Sequence, residues 1–280
     1  MSTPLILAAD LDGTMAHGTA AERAALVQAL ANAPDSRLVY VTGRTPESAR
    51  EIVLAHELPE PDVLIADVGT SVLHGLGPER AGEIEAELDA RWPGSDAVHV
   101  QLAHVKGISP QEVDSPRRVS CWIDDVRALR ATAADPFSAR PPEDASFGRE
   151  AAEIAARVGA AAVQALAPLH VDVVVSANVF LDVLPRGVHK GSTLRRVLEW
   201  LGGHAEHCVV AGDSLNDLSL FRTGLRGIVV GNCEPALLQR LDVNQRIYRA
   251  RGSGPAGVLE GLRHFGLVGD GPQEGDRRAK

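Results

Sequence analysis

Apolar residues recur along this chain in two rhythms. Short runs at residues 5–9, 37–41, 63–66, 207–211 and 226–230 are dense in Val, Ile, Leu and Ala, and their length suits strands buried in a sheet. Between them lie segments with the helical period. Thr45 followed by Pro46 supplies an N-cap and a first-turn proline, and Ala49, Ile52 and Val53 mark one apolar face of the helix that follows. A second such helix is expected over residues 190–201, closed by Gly202. Strands separated by helices predict an α/β fold with a parallel sheet.

The texture changes in the middle of the chain. Ala-rich helical stretches at residues 81–91 and 151–166 surround a Pro- and Asp-rich interruption at 135–144. Two strand-like runs, 170–176 and 179–184, flank Ala177-Asn178 and read as a hairpin, with a further strand at 118–123. Strands that pair locally predict an antiparallel sheet of their own. The expected organisation is therefore a core built from residues 1–79 and 187–268, an inserted domain at 80–186, and a polar, Gly-rich tail at 269–280 that is expected to be disordered.

Composition narrows the function. At 280 residues with 45% hydrophobic content, the chain can bury a substantial core. The formal charge is −9 and Lys and Arg are scattered, which argues against a nucleic-acid partner. Cys121, Cys208 and Cys233 are odd in number and contain no C-x-x-C pair, so neither a disulfide framework nor a zinc cage is expected. The first apolar run is broken at Asp10, too early for a signal or a membrane span. The reading is a cytoplasmic, soluble protein with no membrane partner. Nothing in the sequence fixes the oligomeric state, and a monomer would serve.

The strand ends hold the chemistry. Residues 5–9 run into Asp10-Leu11-Asp12-Gly13-Thr14, two carboxylates at the end of a buried segment. Burying such a pair calls for a cation, a divalent metal being the natural one, unless the segment is merely a solvated turn. Residues 39–41 run into Thr42-Gly43-Arg44, which offers a hydroxyl, a backbone N–H and a guanidinium just before a helix start; this suits a phosphate, or an ordinary capping loop. Lys190 opens a helix, where the macrodipole disfavours a cation, so it needs an anion nearby unless it is simply a solvated surface lysine. Residues 209–211 run into Gly212-Asp213-Ser214-Leu215-Asn216-Asp217, again acidic, with a capping turn as the plainer reading. In an open parallel sheet, ligands bind beyond the carboxyl ends of the strands.

These four segments, in this order, resemble the motifs of the haloacid-dehalogenase superfamily of phosphatases, and the place of the insertion is similar to where that family carries its larger cap. Within it the chain looks most like the sucrose-phosphate phosphatases, through Leu64-Ile65-Ala66-Asp67-Val68-Gly69-Thr70, Phe180-Leu181-Asp182-Val183-Leu184-Pro185 and Gly257-Val258-Leu259-Glu260-Gly261-Leu262. The likeness spans nearly the whole chain and is weakest over 81–169; Asp67 and His74 stand where that group has a small and an aromatic residue.

The resemblance implies a Rossmann-like doubly wound parallel core with an inserted α+β cap. It also implies that Asp10 attacks phosphorus to give an aspartyl phosphate, and that Asp12 acts as acid and then base. Magnesium (Mg2+) would be held by the Asp10 carboxylate, the Asp12 carbonyl and Asp213, with Asp217 supporting them from behind. Thr42, the Gly43 N–H and Lys190 would bind the transferring phosphoryl group, and Asn216 would orient Lys190 or the phosphate. Arg44 would contact substrate, or equally pair with a carboxylate of the core. The cap would hinge near 75–78 and 185–187, and His170, Asp172, Lys106 and Arg118 are polar groups it could aim at sugar hydroxyls.

The resulting expectation is a magnesium-dependent phosphatase acting on a small phosphorylated sugar or disaccharide, similar to sucrose-6-phosphate. Two other readings are open: a phosphosugar mutase of the same superfamily, and a non-catalytic phosphosugar-binding regulatory module that keeps the fold.

Overall fold

A computed structural model describes residues 5–33, 35–131, 145–202, 205–242 and 246–269, with side chains left out of the description at 145–147. The segment expected as an interruption at 135–144 and all but the first residue of the expected tail lie outside the described residues. The chain divides into two compact units, residues 1–81 with 190–280, and residues 82–189.

In chain order the first unit opens with β1 (Ile6–Ala9), α1 (Ala20–Ala31), β2 (Arg37–Val41), α2 (Pro46–Ala55), β3 (Val63–Ala66) and β4 (Ser71–His74). The second unit contains α3 (Gly82–Asp89), α4 (Ser95–Leu102), β5 (Ile108–Pro110), β6 (Val119–Ile123), α5 (Asp124–Ala131), α6 (Ala145–Ala165), β7 (Val171–Ser176) and β8 (Phe180–Pro185). The first unit resumes with α7 (Lys190–Trp200), β9 (Cys208–Gly212), α8 (Leu218–Phe221), β10 (Arg226–Val229), α9 (Pro235–Arg240), β11 (Ile247–Arg249) and α10 (Gly254–His264).

The first unit is built on a seven-stranded sheet in the order β11-β10-β9-β1-β2-β3-β4. Every pairing is parallel except β3 with β4, where Ile65 faces Val72 in an antiparallel hairpin. The α/β class read from the strand runs is present. The antiparallel edge was not anticipated, because Ser71–His74 is four residues long and shows no alternation to distinguish it from a turn. β1 lies between β2 and β9, so the strand order reverses there, and this is the switch point at which open α/β sheets open a crevice. Leu5, Leu7 and Ala9 pack with Leu26, Tyr40, Leu64, Val209 and Val258 in one core, and Ile6 and Ala8 are equally enclosed on the other face. Burial on both faces explains why β1 reads as an unbroken apolar run.

The second unit carries a four-stranded antiparallel sheet in the order β5-β6-β8-β7. Ala177 and Asn178 both have positive φ at the centre of the turn in which the Val179 N–H donates to the Ser176 carbonyl at 3.1 Å, and β8 begins at Phe180, so the connection is three residues long, one more than the strand runs suggested. Val119, Cys121, Ile123, Leu181 and Val183 turn one face of this sheet toward apolar residues of α4, α5 and α6. Ser120, Trp122, Phe180 and Asp182 alternate with them: Ser120 is opposite Asp182, and Trp122 is opposite Phe180 with ring centroids 4.9 Å apart. The Arg117 guanidinium is enclosed, donating to Glu85 and Asp89 at 2.6 Å each. Among the described residues no helix is long and apolar enough to cross a membrane.

Candidate active site

The site assembles at the carboxyl ends of β1, β2, β3 and β9. Parallel pairing sets Ala9 beside both Tyr40 and Ala211, so Asp10, Thr42 and Asp213 leave the sheet on neighbouring strands. The Asp10 N–H donates to the Ala211 carbonyl at 3.0 Å and the Thr42 N–H to the Ile65 carbonyl at 2.8 Å, which carries the ladder one step past each strand.

Lys190 is the hub. Its ammonium is fully enclosed and donates to Asp10 Oδ1 at 2.7 Å, Asp217 Oδ1 at 2.7 Å and Asn216 Oδ1 at 2.9 Å. The solvated-lysine reading is therefore set aside. Burial alone would lower the Lys190 pKa, but Asp10 and Asp217 outweigh it and hold the side chain firmly protonated. These two carboxylates also offset the unfavourable macrodipole at the start of α7.

The carboxylates respond to the same environment. Burial drives the Asp10 pKa well above the usual carboxylate range against the pull of Lys190, with Asp217 and Asp213 adding to the rise. Asp213 is pushed up to about 7 by burial and then by Asp217, against the hydrogen bond that Thr14 Oγ1 donates to it at 3.1 Å. Asp10, Asp213 and Asp217 each offer one oxygen, and these atoms lie within 4.8 Å of one another. Three crowded carboxylates facing a single ammonium leave excess negative charge that a small cation would relieve, and an all-oxygen donor set suits a hard divalent ion. The residues fit such an ion.

Local structure explains how the acids come so close. The turn Leu215–Asp217 folds back so that Asp217 Oδ2 accepts the N–H groups of Asp213 and Ser214, both at 3.1 Å. A side chain at Gly212 would collide with this carboxylate, its Cβ falling 2.7 Å from that of Asp217. Gly13 has φ +73°, and a Cβ there would lie 2.2 Å from Asp213 Oδ2. Two glycines thus leave room for two acids.

Asp12 and Arg44 form a second group. Arg44 grips Asp12 with both arms, Nε to Oδ2 and Nη2 to Oδ1 at 2.7 Å each, and its third nitrogen reaches Ser48 Oγ at 2.7 Å. The Asp12 side chain keeps 52% exposure. Of the two roles open to Arg44, pairing with a core carboxylate is the one seen here. Thr42 is fully enclosed, and its Oγ1 accepts the Arg44 N–H at 3.1 Å. The fold thus gathers Asp10, Lys190, Asn216, Asp213 and Asp217 in one hydrogen-bonded and acidic cluster, with Asp12, Thr42, Gly43 and Arg44 on the two loops beside it.

Beyond β3, Asp67 and Val68 both have positive φ, 53° and 61°. A β-branched residue in this region is an outlier that costs about 1–3 kcal/mol and persists only when its surroundings impose it. Asp67 is buried, accepting from Ser71 Oγ at 2.9 Å, and Thr193 Oγ1 of α7 donates to the Gly69 carbonyl at 2.7 Å.

The polar residues expected in the inserted segment are dispersed. Lys106 is exposed, Asp172 accepts the Gly187 N–H at 2.7 Å, His170 lines a 480 Å3 cavity with Trp92 and Arg186, and Arg118 is buried 4.0 Å from Asp182. A 610 Å3 cavity in the first unit includes Cys208 and Arg226, at the amino ends of β9 and β10, and among the described residues it carries no acid and ammonium grouping of this kind.

The profile of the sucrose-6F-phosphate phosphohydrolase family matches residues 3–134 and 148–266, nearly all of the chain. The chain belongs to this family. A sucrose-phosphatase from Synechocystis sp. PCC6803, solved with sucrose and phosphate, superposes with a TM-score of 0.73 at 26% identity, covering 94% of this chain and 98% of that one. Among curated relatives, the mannosylfructose-phosphate phosphatase of Agrobacterium fabrum is 29% identical over 94% of this chain and 97% of its own length. A glucosylglycerol-phosphate synthase from Pseudomonas anguilliseptica is 34% identical over 95% of this chain, which spans only 31% of that relative. Sucrose-phosphatase 1 of Nicotiana tabacum is 27% identical, and the chain spans 59% of it.

Several members of the site were not read from the sequence. Thr14 holds Asp213, and Glu234 Oε2 accepts the Leu215 N–H at 3.0 Å. Asn232 bridges Gly13 and Gly254, donating to the first at 2.7 Å and accepting from the second at 2.8 Å. Thr14 lay inside the first motif and could have been flagged; Glu234 and Asn232 follow β10, whose end carried no recognised signal.

Proposed function

We propose that this protein is a magnesium-dependent phosphatase that hydrolyses the phosphate ester of a short glycoside through an aspartyl-phosphate intermediate. The observation that supports it most is the enclosed Lys190 ammonium shared by Asp10, Asn216 and Asp217, with Asp213 beside them and Thr42 and Gly43 one strand away.

Asp10 attacks phosphorus in line with the departing sugar oxygen, and Lys190 fixes the orientation of its carboxylate. Asp12, held by Arg44 on the exposed side, gives the leaving oxygen a proton and then takes one from the water that cleaves the acyl phosphate. Thr42 Oγ1, the Gly43 N–H and the Lys190 ammonium face the negative charge spread over the equatorial oxygens. Magnesium would be held by the Asp10 carboxylate, the Asp12 carbonyl and Asp213, and when bound it neutralises charge on phosphate and acids alike. Asp217 holds Lys190 and the 213–214 backbone in place. The second unit, residues 82–189, acts as the cap that selects the sugar.

The names of three relatives support this substrate class: two are phosphatases of phosphorylated disaccharides and the third bears the name of glucosylglycerol phosphate. Their shared feature is a phosphate monoester on a small glycoside. The test is release of inorganic phosphate from sucrose phosphate, mannosylfructose phosphate, glucosylglycerol phosphate, trehalose phosphate and hexose phosphates, with and without magnesium. Stoichiometric phosphate from one or more of the glycoside esters, abolished by Asp10→Asn, is the expected result. An Asp10→Asn protein as active as the parent would refute the assignment, and transfer of phosphate to a second position of the sugar would mark a mutase instead.

A further inference from the structure

The turn that follows β10 reaches both loops that carry the acids of the site. The Glu234 N–H donates to the Asp213 carbonyl at 2.7 Å, and two residues earlier the Asn232 side chain donates from Nδ2 to the Gly13 carbonyl at 2.7 Å. The other end of that amide is held as well. Asn232 Oδ1 accepts the Gly254 N–H at 2.8 Å, and the neighbouring Gly231 N–H donates to the Gly252 carbonyl at 2.7 Å. Gly254 opens α10, so Asn232 satisfies one of the N–H groups that a helix start leaves without an intrahelical partner.

Chemistry fixes which way this amide faces and what can stand in its place. A backbone N–H can only donate and a carbonyl can only accept, so the oxygen faces Gly254 and the nitrogen faces Gly13. Aspartate has the same shape but no donor, and it would set an oxygen against the Gly13 carbonyl. Alanine reaches neither partner.

The residue that Asn232 grips has little conformational preference of its own. Asp12 and Gly13 take the central dihedrals of a type II turn, φ −71°, ψ 129° and φ 73°, ψ −16°. Glycine populates both signs of φ, so ties from outside hold this turn in place. Arg44 ties the Asp12 side chain, Thr14 is tied to Asp213, and Asn232 ties the Gly13 carbonyl. The Asp12 carbonyl lies one peptide unit before that anchored carbonyl.

We propose that Asn232 is a positioning residue for metal binding: its side-chain amide braces the Gly13 carbonyl against the start of α10 and so keeps the Asp12 carbonyl in place for magnesium. The proposal rests on the reading of the Asp12 carbonyl as a magnesium ligand.

The experiment uses the full chain labelled with 13C and 15N, as parent, Asn232→Asp and Asn232→Ala, with magnesium alone as the probe. Three quantities are read: the magnesium dissociation constant by calorimetry, the Asp12 carbonyl-carbon resonance with and without the ion, and the midpoint of thermal unfolding in chelator. Asn232→Asp keeps its acceptor for Gly254, so its midpoint is expected to stay close to the parent's. Both variants are expected to bind magnesium about tenfold more weakly, on the scale set by loss of a group that supports a metal ligand. An added carboxylate attracts a cation, so charge alone would make Asn232→Asp bind more tightly than the parent. A loss in both variants therefore belongs to the missing donor. In both, the Asp12 carbonyl resonance broadens through exchange before metal is added. Parent-like affinity in Asn232→Ala would overturn the proposal, as would tighter binding by Asn232→Asp, or losses in both variants that track a lowered midpoint. A parent whose Asp12 carbonyl resonance ignores added magnesium would instead overturn the underlying reading of the ligand set, and that result is visible before any substitution is made.

Discussion

Replacing Lys190 by methionine removes the ammonium that Asp10 and Asp217 share while keeping most of the side-chain volume. At 2.7 Å each of the two ion pairs is worth about 6 kcal/mol of attraction at an effective dielectric constant near 20. Much of that is offset by the desolvation of three buried charges, and breaking a buried pair has a net cost of about 3–5 kcal/mol. Against a total stability of about 5–15 kcal/mol, this is a large share. Urea unfolding in chelator should therefore show Lys190→Met destabilised by about 3–5 kcal/mol, with part of the loss recovered on adding magnesium. Turnover of a sugar phosphate should fall by at least about 100-fold, the scale seen when one transition-state donor is removed. A double-mutant cycle makes the reasoning refutable. If the loss comes from stranded carboxylates, adding Asp10→Asn to Lys190→Met should restore stability, because one of the unpaired charges is gone. Equal stability of parent and Lys190→Met in chelator, or strictly additive losses in the double variant, would show that the ammonium does not hold this cluster together.

Other substitutions probe the remaining parts. Asp213→Ala should raise the magnesium concentration needed for half-maximal phosphate release by about 10–100-fold, measured by metal titration, and an unchanged requirement would remove Asp213 from the ligand set. Arg117→Met leaves the buried Glu85 carboxylate facing the gap and should lower stability by about 3 kcal/mol in urea unfolding, with Glu85→Met in the same chain restoring most of it. Asp182 has its pKa raised by burial, against the pull of Arg118 and Ser120. Its contribution to stability is full below the unfolded value near 3.8 and is lost as pH rises through the higher folded value. Asp182→Asn should therefore flatten the fall of stability with rising pH above about 4, and a slope parallel to the parent's would count against the shift.

The parallel core and the strand-end acids were legible because each depends on short stretches of sequence: a buried strand is a continuous apolar run, and the site sits where such runs stop. The partners of those acids were harder to read. Asp217 was expected to stand behind the metal ligands, yet it is also Lys190's counter-ion, because the turn Leu215–Asp217 bends back on itself, a geometry that strand-end logic does not contain. Arg44 left two roles open in the sequence, and its grip on Asp12 spans 32 positions that periodicity cannot connect. Val68 gave no signal at all. Valine is a natural strand former, and its left-handed turn goes with a tertiary hydrogen bond from its N–H to the Thr42 carbonyl, 26 positions earlier in the chain. The inserted unit was visible as a change of texture, whereas its buried Arg117 network depends on pairings 28 and 32 residues apart.

The separation of 180 positions between Asp10 and Lys190 also bears on how the molecule is made. At a ribosomal rate of about 5–20 residues per second, Asp10 waits roughly 9–36 seconds for its ammonium to be polymerised. β9, which flanks β1 on its second side, is made later still. A nascent chain therefore leaves one edge of its central strand unpaired and Asp10 without the Lys190 counter-charge until the distal third is synthesised. That delay makes the half-made sheet a natural client for a chaperone.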